Sequence, residues 1–140
     1  MSHRNFKDDA EVAELVRGFE ACEIHPAEFK HYQHLAVALW YVSHLPYDEA
    51  CEKLKTGIKR LASSYGKTGY HETITEFWLR KVREFRRSRR SPGSLSVLTN
   101  QLIARCGDKN LIFDYYSKEA LDSQEARTGW VEPDLKPFQS

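Results

Sequence analysis

The chain has no apolar stretch long enough to span a bilayer. Its longest runs from Leu35 to Val42, whereas a spanning helix needs about 20 apolar residues. The opening residues, MSHRNFKDDAE, have no apolar centre of the kind a secretory signal requires, so the expected address is the cytoplasm. Cysteine is sparse: the 3 present, Cys22, Cys51 and Cys106, are odd in number and far apart, with no C-x-x-C pair. That spacing excludes the common zinc and dithiol motifs and suits a reducing compartment, with the thiols as small core residues. Charge of one sign is lacking too, 21 Lys plus Arg standing against 20 Asp plus Glu for a net +1. No global field therefore draws the protein to nucleic acid or acidic lipid. Gly66-Lys67-Thr68 repeats only the end of a phosphate-binding P-loop, and no serine lies in G-x-S-x-G.

What is present is an ordinary globular composition, 41% hydrophobic, 12% aromatic and 29% charged over 140 residues. That length is enough for one hydrophobic core and does not require a second, so we expect a single α-helical domain over 1–140. β-Branched and aromatic residues fall at helical rather than alternating intervals, which predicts an all-α fold of five or six helices. No internal repeat or low-complexity block interrupts it.

In order along the chain, Asp8 and Glu11 have capping-box spacing, and Val12, Leu15, Val16 and Phe19 recur with helical period, predicting a first helix to about Cys22. His25-Pro26 breaks it, since the residue before proline avoids the helical region and proline suits a first helical position. The stretch 26–45, PAEFKHYQHLAVALWYVSHL, is then apolar on every side over its middle. It is expected to be one helix at the centre of the bundle. Pro46 opens a third helix with a stripe of Ala50, Cys51, Leu54, Ile58, Leu61 and Tyr65, stopped by a glycine loop at 66–69. A fourth runs from near Tyr70 to about Arg90, and a fifth carries Leu95, Val97, Leu98, Leu102 and Ile103 to Gly107. Asp108 can cap a short sixth segment containing LIFDYY. Beyond Ser117 only single turns near 118–121 and 124–127 are expected, then an irregular tail held across the bundle by Trp130 and Phe138.

The chemistry-bearing pattern is a set of histidines. At about 100° per residue, His31 and His34 fall on one stripe with Leu35, Ala38, Val42 and Leu45, and His71 falls on the stripe of Ile74, Trp78, Val82 and Phe85. Residues three apart on a helix are neighbours, so two such imidazoles and a third from another helix can converge on one ion. Glu28-x-x-His31 is one copy of the Glu-x-x-His pattern that di-iron bundles use twice; the second copy is missing. The expected site is thus mononuclear: His31, His34 and His71 as ligands to one divalent ion, Zn, Fe, Mn or Ni, with Glu28 or Glu72 as carboxylate ligand or supporting acceptor. Glu72 is the candidate catalytic base beside a metal-bound water, against its simpler role as an acid in the first turn of a helix. His71-Glu72 is not a zinc-protease motif, because Thr75 occupies the second histidine position. The plainer reading is three core imidazoles bonded to carbonyls or hydroxyls. His3, His25 and His44, near helix ends or the terminus, are expected to be exposed.

The segment 80–90 carries Arg80, Lys81, Arg83, Arg86, Arg87, Arg89 and Arg90 against the one acid Glu84. Such a run could meet phosphates by charge, or simply be the solvated carbonyl end of a long helix. Nucleic acid is therefore the lesser alternative, and no membrane partner is expected.

Phe29-x-His31-x-x-His34-Leu35, the run YHETIT from Tyr70 to Thr75, and Ala126-Arg127-x-Gly129-Trp130-Val131-x-Pro133-Asp134-Leu135 together resemble the motifs of a group of small bacterial all-helical proteins. The resemblance implies a bacterial, cytoplasmic setting and brings no activity, cofactor or substrate with it. The expectation is therefore a helical domain with a histidine-lined pocket for a small molecule, enzymatic through a metal or not. The alternative is an interaction module whose histidines are core residues.

Overall fold

The computed structural model describes residues 5–67, 70–89 and 93–138. Among them the fold is all-α: α1 (Asp9–Glu20), α2 (His31–His44), α3 (Tyr47–Ser64), α4 (Glu72–Arg87), α5 (Leu95–Cys106), α6 (Lys118–Asp122) and α7 (Gln124–Thr128), with single 3-10 segments at Pro26–Glu28 and Lys109–Asp114. No strand occurs among the described residues.

The boundaries follow local chemistry. Asp8 caps α1 by accepting from the Glu11 amide, while the Glu11 carboxylate reaches back to the amide of Lys7. The helix stops at Glu20 because Cys22 adopts a left-handed φ of 57° and the Glu23 amide returns to the Gly18 carbonyl. α3 ends in the same geometry at Gly66, where φ is 68° and the Lys67 amide bonds the Ala62 carbonyl. Ser94 caps α5, Ser117 caps α6 and Ser123 caps α7.

α2 is the central helix and touches α1, α3, α4 and α5. Its residues 35–39 are all buried, as an apolar run with neighbours on every side must be. One expectation is corrected here. The central helix does not begin at Pro26: Pro26–Glu28 is a single 3-10 turn, Phe29 and Lys30 are extended or irregular, and α2 starts at His31. The Phe29 side chain turns into the core and stacks on Phe19 at 5.0 Å between ring centroids. Burying that ring bends the backbone out of a continuous helix.

The tail lies across α4 without regular structure. Buried Thr73 donates to the Gly129 carbonyl at 2.6 Å and accepts from the Val131 amide at 3.1 Å. Tyr116 donates to the Val131 carbonyl, Asp134 accepts from the Ser117 amide, and Phe138 packs on Phe77 at 5.3 Å. These bonds bring 129–138 onto the bundle and pair backbone groups that lack a helix of their own.

Candidate functional site

α2 carries His31 in its first turn and His34 one turn later, and α4 is preceded by His71. Packing of α2 on α4 places all three imidazoles on the wall of one cleft of about 500 Å³. The remaining wall is mostly apolar. Phe29, Leu35 and Ala38 come from α2 and its approach, Leu54 and Ile58 from α3, and Ile74 and Trp78 from α4. Ile112 and Phe113 of the 3-10 segment and Leu121 of α6 close the far side, with Tyr70, Thr75, Lys109 and Asn110 as the other polar contributors. A concave, largely apolar cleft of this size with few convergent polar groups is the usual form of a small-molecule site.

Each histidine has a defined environment. His31 donates from Nε2 to the Cys106 carbonyl at 2.9 Å and sets its ring edgewise to Trp78, centroids 4.5 Å apart. Burial pushes its pKa down, aided by the charge of Lys109 and opposed by the Cys106 bond and Asp108. His34 lies against the Phe29 ring at 4.1 Å. Burial first, and His31 second, push its pKa down to about 4, against a hydrogen bond to the Phe29 backbone. Both rings are therefore neutral at pH 7. His71 is not inside the fourth helix, as its stripe position suggested, but caps it: Nδ1 accepts from the Ile74 amide at 3.1 Å and Nε2 donates to the Leu121 carbonyl at 2.6 Å.

The structure thus brings His31, His34 and His71 to one cleft, but not as an ion's ligand set. His71 has both nitrogens engaged by backbone groups, so no lone pair is left for a metal. Glu28 is exposed on the 3-10 turn, separated from α2 by Phe29 and Lys30, and does not line the cleft. The Glu28-x-x-His31 spacing is consequently not a helical i,i+3 pair. Among the described residues no three His, Cys, Asp or Glu side chains gather where they could hold an ion.

Glu72 takes the first position of α4 and does not line the cleft. It pairs with Lys55 at 2.7 Å and accepts from the Tyr70 hydroxyl at 2.8 Å. Burial works to raise its pKa, but the bonds from Lys55 and Tyr70 and the charges of Lys55 and Lys59 outweigh it and hold the carboxyl below the usual range. A carboxylate so paired is a poor proton acceptor. Lys55 also pairs with Glu76 at 2.7 Å, and Glu76 with Arg80 at 3.0 Å, so Glu72 is the first member of a half-buried charge chain along α3 and α4.

The basic run is largely turned onto the protein itself. Arg80 stacks over Trp130 at 3.9 Å and Arg83 over Tyr47 at 4.1 Å, Lys81 pairs with Glu84, Arg86 bonds Ser43, and Arg89 lies over Phe85. Arg90 lies outside the described residues. A second concavity of about 400 Å³ along this face interleaves Arg80, Arg83 and Arg87 with Glu84 and Glu132, which dilutes its field. His25 and His44 are exposed, as expected, and His3 lies outside the described residues.

Sequence reasoning did not place Phe29, Tyr70, Trp78, Lys109, Ile112, Phe113 or Leu121 in the site. Phe29 and Tyr70 carried a signal as neighbours of the histidine motifs, and Trp78 as a member of the His71 stripe; the others arrive by tertiary packing. No helix among the described residues is long and apolar enough to cross a membrane. Compared with protein-family models, curated proteins and solved structures, the chain gives no match in any of the three.

Proposed function

We propose that this protein binds a small, largely apolar molecule in the cleft walled by His31, His34 and His71, and that it does so without a resident metal. The observation that carries the reading is the convergence of these imidazoles, from α2 and from the cap of α4, onto one open apolar cleft of about 500 Å³. A structural role for imidazoles needs no such opening. Apolar walls supply affinity in proportion to the area they remove from water, and the few polar groups orient what enters. The three unpaired cysteines and the motif resemblance support a reducing, bacterial cytoplasmic setting.

The test is a ligand-observed NMR screen of one- and two-ring aromatic fragments against the wild type and Ile74→Trp, whose larger ring fills the cleft. Saturable binding to the wild type that the filled variant loses, with an unchanged fold by circular dichroism, is the expected result. Fragments that bind both proteins alike would place the binding elsewhere and overturn the reading.

A further inference from the structure

Among the cleft's polar groups, two imidazoles and two hydroxyls have their hydrogen atoms already committed to the protein. His31 Nε2–H goes to the Cys106 carbonyl at 2.9 Å, and His71 Nε2–H to the Leu121 carbonyl at 2.6 Å. Thr75 Oγ1 donates to the His71 carbonyl at 2.9 Å, and the Tyr70 hydroxyl to Glu72 at 2.8 Å. A neutral imidazole whose one N–H is engaged presents a bare lone pair at its other nitrogen, and an engaged hydroxyl retains acceptor capacity.

His31 Nδ1 is such a lone pair. The ring that carries it lines the cleft. The remaining lining donors are the Trp78 indole N–H and, on the 3-10 segment, Lys109 and the Asn110 side-chain amide; Lys109 is the one lining cation among the described residues.

We infer that the cleft selects a ligand carrying a neutral hydrogen-bond donor, a hydroxyl or N–H on an apolar ring system, over a donor-free or anionic analogue of the same shape. This rests on the reading of the cleft as a small-molecule site. A donor completes His31, whereas a carboxylate brings its own lone pairs against that of the imidazole. A methyl ether buries the same ring and leaves the imidazole unpaired. Sites that present hydrogen-bonding groups to a hydroxyl discriminate sharply against analogues that lack it.

The experiment is calorimetric titration at pH 7.5 with 2-naphthol, 2-methoxynaphthalene and 2-naphthoate. Their ring systems match, and they differ in offering a donor, a blocked donor or an anion. The expected order places 2-naphthol roughly tenfold tighter than 2-methoxynaphthalene, the worth of one neutral hydrogen bond in a partly dry site, and 2-naphthoate weakest. In His31→Phe, which keeps a ring of similar size, the preference for 2-naphthol over its methyl ether should shrink while the ether still binds. Should that variant fail to fold, the order on the wild type still decides. Equal binding of all three, or tightest binding of 2-naphthoate through Lys109, would overturn the inference and leave the small-molecule site standing. Binding of none would overturn the site and the inference together.

Discussion

The His71 imidazole holds the Leu121 carbonyl at 2.6 Å with one nitrogen and the first turn of α4 with the other. One side chain therefore caps a helix and fastens α6 to it across fifty residues of sequence. His71→Ala removes the cap, worth about 1 kcal/mol, and leaves a carbonyl short of a partner, at a cost of about 1 kcal/mol or more. We expect a loss of about 2 kcal/mol in urea unfolding. His71→Asn, which can cap but cannot span to Leu121, should recover about half of it. A His71→Ala protein as stable as the wild type would contradict this pairing.

The same geometry bears on metals. With no free nitrogen on His71 and Glu28 away from the cleft, elemental analysis of tag-free protein purified without chelator should find far less than one equivalent of zinc, iron, manganese or nickel. His31→Ala/His34→Ala should not change the figure. Near-stoichiometric metal that this double variant loses would show that His31 and His34 hold an ion and would contradict the metal-free reading.

Acid sensitivity should begin above the carboxylate range. His34 has a folded pKa of about 4, below an ordinary 6.5. The unfolded chain binds this proton first as pH falls, so the contribution is complete above about 6.5 and is lost toward 4. The titratable group acting on this ring is His31, itself shifted down and in turn under the charges of Lys109 and Asp108. Glu20, Glu72, Asp9 and Asp134 are shifted down from carboxylate values, so their contributions fade only at lower pH. Between pH 7 and pH 5 the wild type should lose about 2 kcal/mol, at 1.36 kcal/mol per unit. His34→Phe should lose markedly less. Equal losses in the two proteins would show that His34 titrates normally.

Gly57 faces Phe19 so closely that a Cβ there would stand 2.5 Å from the ring. The ring is fully buried and stacked on Phe29, so it has little room to yield. Gly57→Ala gains about 1 kcal/mol of helix propensity but overpacks at a cost of about 1 to 3 kcal/mol. Net destabilisation of about 1 kcal/mol is expected in denaturant titration. A stabilised variant would mean that Phe19 moves aside.

Helical periodicity located α1 to α5 well because each has an apolar stripe that must be buried, and the central place of α2 followed from its lack of a polar face. The break at Phe29 was not visible, since nothing local marks a backbone that bends in order to bury a ring against Phe19. His71 read as a stripe residue because a wheel assigns direction without knowing where the helix begins; as a cap it projects differently and uses both nitrogens. Ile112, Phe113 and Leu121 join the cleft through packing of distant segments, for which periodicity carries no signal. The arginines of α4 looked free because aromatic faces such as Tyr47 and Trp130 become their partners only once the tail and α3 fold against α4.

The most direct test of the central claim is to titrate isotope-labelled protein with 2-naphthol and follow backbone and imidazole shifts together. The account predicts saturable changes confined to Phe29, His31, His34, Ile74, Trp78 and Leu121, with His71 retaining the bond pattern of a cap. Changes centred instead on Arg83 and Arg87, or none at all at millimolar ligand, would contradict it.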